Sequence, residues 1–125
     1  MAGLREVATR ITRTGISCSV WVDGSFLTEK IDPWDVDLVA FIPARFYDDG
    51  APEQLAVVDW LTSRDNEPRK LYRCDTHAEP MYPELAPFHY MVAGALDYWR
   101  NTYGRSVGGG APKGIAVLEL VGDAQ

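Results

Sequence analysis

The segment Asp35-Val36-Asp37-Leu38-Val39-Ala40-Phe41-Ile42, closed by Pro43, restricts the fold more than any other part of the chain. Its nearly continuous apolar second half has no polar side to give to water, so it reads as a strand covered on both faces. Such a strand needs neighbours in a sheet and helices packed over it. Its opening aspartates are separated by one residue, and strand side chains alternate with a period of two, so Asp35 and Asp37 share a face. Two carboxylates held in this way make a preformed cation site.

Periodicity and punctuation supply the other elements. Leu4, Val7, Ala8 and Ile11 recur at helical spacing, and Gly15 ends that helix. Ile16 to Val22 alternates as a strand, with Ile16, Cys18, Val20 and Val22 on one face and Ser17, Ser19 and Trp21 on the other. Asp23-Gly24-Ser25 ends it, with Asp23 read as part of the turn. Arg45 to Ala51 reads as a polar turn, and Pro52 opens a helix from Glu53 to Thr62 that presents Leu55, Val58 and Leu61. A third strand is expected over Lys70 to Thr76, then a loop marked by Pro80, Pro83 and Pro87. Phe88 to Tyr103 has helical length, with Met91, Ala95, Tyr98 or Trp99, and Thr102 repeating, and Gly104 stands where a cap belongs. Gly114 to Val121 is a last strand. The order αββαβαβ predicts an α+β fold with a mixed sheet and helices packed mainly on one face.

The chain's 125 residues, 46% of them hydrophobic, suffice for one core, so residues 1–125 are expected to form one domain. Eighteen acidic residues against twelve basic ones leave a net charge of -6, which argues against strong non-specific DNA binding. No basic start precedes a long apolar stretch, and the apolar runs are strand-sized, so a soluble, cytoplasmic protein without membrane contact is expected. Cys18 and Cys74 form no C-x-x-C motif; free thiols are the preferred reading, with a disulfide left open.

Ahead of the acidic pair, Gly24-Ser25 follows the first strand, and nine residues separate Ser25 from Asp35. Glycine lets the backbone approach a phosphate closely, and the Ser25 amide is suited to donate to it. Magnesium takes oxygen ligands and binds through one or two carboxylates together with substrate phosphates. These residues, Gly24-Ser25, a spacer and Asp35-x-Asp37 among apolar neighbours, resemble the signature of the DNA polymerase beta-type nucleotidyltransferase superfamily. The order of elements from about Ile16 to Asp75 is similar too, and the tail from Tyr98 to Ile115 resembles short nucleotidyltransferase-like proteins of phages and bacteria.

The resemblance implies a nucleotidyltransferase-like sheet and transfer of a nucleoside monophosphate from a nucleoside triphosphate to a protein or RNA acceptor. It implies Mg2+ or Mn2+ on Asp35, Asp37 and a third carboxylate from a later strand, Asp75 by order or Glu119 in reserve. Gly24 and Ser25 then hold the triphosphate. Minimal nucleotidyltransferases that act as antitoxins are of similar size, which leaves an inactive, regulatory binding protein as the alternative.

The other candidate groups have plainer readings. Gly108-Gly109-Gly110 lacks the G-K-[ST] ending of a P-loop and precedes a strand. Arg105 and Lys113 are most simply solvated charges. His77 and His89 form no zinc motif, although His77 has room to lie near Asp75. Phe88, Tyr90, Tyr98, Trp99 and Tyr103 read as packing material.

Overall fold

The computed structural model describes residues 2–23, 36–63, 65, 67–103 and 114–124. Its elements are α1 (Ala2–Arg13), β1 (Cys18–Asp23), β2 (Val36–Pro43), α2 (Ala44–Tyr47), α3 (Pro52–Thr62), α4 (Glu67–Tyr72), β3 (Cys74–Met81), α5 (Tyr90–Tyr103) and β4 (Ile115–Leu120). Among the described residues the strands form one four-stranded sheet in the order β3-β2-β1-β4. β1 is antiparallel to both β2 and β4, whereas β2 and β3 run parallel. The fold is therefore mixed α+β. Among the described residues no helix is long and apolar enough to cross a membrane.

The apolar run that demanded two covered faces has them. Leu38, Ala40 and Ile42 of β2 pack in one layer with Val7 and Ile11 of α1 and Val57, Val58 and Leu61 of α3. Val39 and Phe41 point the other way, to Trp99 and Tyr103 of α5. Most helices thus lie over one face, and α5 covers part of the other.

Local chemistry fixes the ends of these elements. Gly15 takes a φ of 91°, open to glycine at little cost, and its amide donates to the Thr12 carbonyl at 2.9 Å to close α1. Pro52 opens α3, while the preceding Ala51 amide donates to Gln54 Oε1 at 2.9 Å. The same Gln54 donates through Nε2 to the Thr14 carbonyl at 3.0 Å, tying α3 to the end of α1. At the far end of α3, Thr76 Oγ1 donates to the Leu61 carbonyl at 2.8 Å and anchors β3 to the helix. Cys18 and Cys74 are both buried, and neither is in a disulfide.

Four local expectations are corrected. The region read as a turn after Pro43 begins with the short helix α2. The buried side of α3 is Val57, Val58 and Leu61, while Leu55 is 39% exposed. Val57 and Val58 lie adjacent on the helix surface and, with Leu61 one turn on, widen the apolar stripe away from Leu55. The third strand starts later and runs further than its alternation suggested. Residues 67–72 form α4, Arg73 turns the chain at a φ of 54°, and β3 then continues through Pro80. A proline without an amide hydrogen is tolerated there because β3 is an edge strand.

The fourth correction is the phase of α5. Its buried stripe is Val92, Trp99 and Tyr103, with Leu96 packed alongside, whereas Met91 and Tyr98 are exposed. Apolar residues occur almost all around this helix, so the pattern alone left two faces in competition.

Leu38→Ala empties a site with no solvent exposure and is expected to cost about 2–5 kcal/mol. Leu55→Ala should stay within about 1 kcal/mol. Urea-unfolding midpoints of the two variants check the ranking, and equal losses would contradict the assigned face of α3.

Candidate functional site: aspartates on three strands beneath α5

Register determines which acidic groups meet. The parallel pairing of β2 with β3 puts Asp37 opposite Asp75. Adjacent strands lie about 4.8 Å apart, and paired residues point to the same face, so these half-buried carboxylates are side by side. On the other side of β2, Val22 of β1 pairs with Leu38. That register, carried one residue further, brings Asp23 level with Asp37. Asp23 ends β1, is 8% exposed, and pairs on its outer side with Ile115 of β4.

The sheet face that holds these aspartates also carries α5. Tyr103, the last residue of that helix, is 3% exposed, and its hydroxyl has no hydrogen-bond partner among the described residues. Burial raises its pKa first, and the nearby carboxylates of Asp37, Asp75 and Asp23 raise it further, in that order. The phenol therefore remains protonated and able to donate.

One turn earlier, Trp99 donates its indole N–H to Glu79 Oε1 at 3.0 Å. Its ring also stands 4.8 Å from that of His77, whose Nε2 is 3.9 Å from Asp75 Oδ1. Asp75, His77 and Glu79 are alternate residues of β3 and share a face. They border an open cleft of about 430 Å³ with Thr62, Ser63 and Trp99. His77 thus does lie near Asp75. His89, by contrast, sits with Nδ1 2.9 Å from the Tyr82 carbonyl oxygen, a structural contact.

Of the carboxylates considered for the third place, Asp75 is the one beside Asp37. Glu119 belongs elsewhere: it pairs with Ser19, which pairs in turn with Phe41, well along β2 from Asp37. Ser19 Oγ stands 2.8 Å from each oxygen of the Glu119 carboxylate. Those residues border a separate cleft of about 460 Å³ with Trp21, Phe41, Met81 and Leu96. Gly24, Ser25 and Asp35, like Gly104, Arg105, Gly108 to Gly110 and Lys113, lie outside the described residues. Among the described residues no group of three or more His, Cys, Asp or Glu side chains is assembled to hold a metal ion.

Asp23 and Tyr103 are the residues that sequence reading did not assign to this site. For Asp23 a signal existed, since the alternation of Ser19 and Trp21 continues to Asp23 without a break. For Tyr103 none did, because its place depends on how a distant helix crosses the sheet.

A mixed four-stranded α+β sheet with aspartates level on adjacent strands defines the architecture and its candidate site. A model described as a family of unknown function (DUF6932) matches residues 1–119, and the chain belongs to that family. No curated protein and no solved structure matches the chain.

Burial makes the fold sensitive to alkali. The Cys18 thiol is pushed up from 9.0 to about 12, mainly by burial and further by Glu119. Because the fold favours the neutral thiol, this contribution is complete below about pH 9 and is lost as pH rises toward 12. Tyr103, raised from 10.0, acts in the same sense. The urea midpoint is expected to hold steady from about pH 7 to 8.5 and to fall above about pH 9. A flat profile to about pH 11 would contradict the burial of both groups.

Proposed function

We propose that this protein is a metal-dependent nucleotidyltransferase that moves a nucleoside monophosphate from a nucleoside triphosphate to a protein or nucleic-acid acceptor. The observation that carries the reading is the pairing of Asp37 with Asp75 on one sheet face. It adds a second strand's carboxylate to the acidic pattern that resembles the DNA polymerase beta-type superfamily. Asp35 and the Gly24-Ser25 bend enter from the sequence.

The donor set fits a hard divalent cation. Asp37 and Asp75 offer carboxylate oxygens from adjacent strands. With Asp35, they are the residues that would hold Mg2+ or Mn2+. Bound there, the ion would supply charge neutralisation for phosphoryl transfer.

The chain's own groups do the positioning on which such chemistry mainly depends. In this reading Gly24 and Ser25 bind the triphosphate, Asp35, Asp37 and Asp75 would hold the cation beside it, and α5 shields one side from water. The cleft bordered by Asp75, His77 and Glu79 supplies room for an acceptor. The reading puts the protein in the cytoplasm, where nucleoside triphosphates and magnesium are plentiful.

A second reading, a catalytically inactive nucleotidyltransferase-fold protein that regulates a partner as antitoxins do, draws on one observation. Leu85, Phe88, Tyr90, Met91 and Tyr98 are all exposed on or just before α5, and large apolar side chains gathered on a surface suit protein contact.

Incubation with Mg2+ or Mn2+, each labelled nucleoside triphosphate in turn and a host extract separates these readings. Transfer of label to protein or RNA is expected, and Asp37→Asn or Asp75→Asn should reduce it by about 100-fold or more. Undiminished transfer by the double variant would remove the proposed site. A stoichiometric complex that forms without any labelling, and survives both substitutions, would favour the regulator.

A further inference from the structure

α5 holds two polar ring groups against the sheet, and only one is satisfied. Trp99 donates to Glu79 Oε1 at 3.0 Å, whereas Tyr103, one turn later, ends in a hydroxyl with no partner among the described residues. At 3% exposure that hydroxyl has also lost its contact with bulk water. An unpaired polar group so buried destabilises a fold, and a phenylalanine would pack the same ring against Val39, Phe41 and Trp99 without that penalty. Packing therefore explains the ring and leaves the oxygen unexplained.

The surroundings supply a role for it. Asp37, Asp75 and Asp23 are the carboxylates that act on the phenol, yet none takes its proton in a hydrogen bond. Ionised carboxylates only accept hydrogen bonds, so a phosphate oxygen arriving among them needs a cation and a donor. Asp37 and Asp75 fit the cation. A tyrosine phenol is protonated, and therefore a neutral donor, throughout the physiological range.

We infer that the Tyr103 hydroxyl binds substrate, donating a hydrogen bond to a phosphate oxygen of the triphosphate held over Asp37 and Asp75. The inference rests on the nucleotidyltransferase reading and adds a residue from the last turn of α5 to it. Tyr103 acts by selecting and orienting the phosphate chain. The cation needs no help from it.

Tyr103→Phe tests this with three readouts on the full chain. The melting temperature of the unliganded variant should match the parent or rise by about a degree or two, because no native hydrogen bond is removed. Titration with Mn2+ alone should give the parental affinity. Titration with the α,β-methylene analogues of ATP, CTP, GTP and UTP in the presence of Mn2+ should show binding by the parent and affinity weakened by about 10- to 100-fold in the variant, the usual range for a hydrogen bond to a charged group.

Parental affinity for the analogue in Tyr103→Phe overturns the role of Tyr103 and leaves the enzyme reading standing. A drop of several degrees in the melting temperature also overturns it, since the hydroxyl would then have a structural partner. Failure of the parent to bind any of the four analogues with Mn2+ overturns both inferences together.

Discussion

Parallel pairing of β2 with β3 is the constraint on which the rest of the structure depends. Parallel strands cannot be joined by a tight turn, so the chain leaving Pro43 must cross over before it returns at Cys74. The crossover is where α2, α3 and α4 form, and α3 brings Val57, Val58 and Leu61 onto the sheet. Pairing and burial are thus one event. The Val36 amide donates to the Arg73 carbonyl at 2.8 Å, which locks the register at its first step, just where Arg73 adopts its left-handed turn. A slip of one residue would send Asp75 to the α1 and α3 layer and leave Asp37 without its neighbour.

The two faces of the sheet differ in polarity. One is dry: Val20, Val22, Leu38, Ala40 and Ile42 meet the apolar sides of α1 and α3. The other is mixed, with Val39 and Phe41 under the rings of α5 and carboxylates at the end where Tyr103 lies. At that end β1 finishes at Asp23 and β2 begins at Val36. The division lets Asp37 sit beside Asp75 while the dry face supplies the burial that holds the strands together.

The aromatic groups of α5 do more than fill space. Trp99 ties the helix to β3 through Glu79, and its ring packs against His77 and Tyr103. Trp21 and Phe41 meet edge to face at 4.7 Å on the same side of the sheet. Ring packing and the Trp99 hydrogen bond therefore hold the last turn of α5, and Tyr103 with it, against the sheet. The indole of Trp99 is thus satisfied against the sheet, whereas the phenol of Tyr103 has no partner among the described residues.

The sequence by itself determined the features that are local in the chain. A doubly buried β2 was legible because apolar residues occupy both parities of Leu38 to Ile42, and the alternation of β1 was legible for the same reason. Asp37 stands out in the sequence by its spacing to Asp35, and Asp75 as the match by order to the third carboxylate that the resemblance implies. Only the tertiary structure decided that Asp37 and Asp75 are neighbours, that Glu119 is not among them, that Asp23 stands level with them, and that α5 turns Tyr103 inward and Tyr98 outward. Alternation tells which way a side chain points within its own strand. Which strands pair, in which register and under which helix is set by burial shared between residues far apart in the chain, and no local pattern of Lys70 to Tyr103 contains that information.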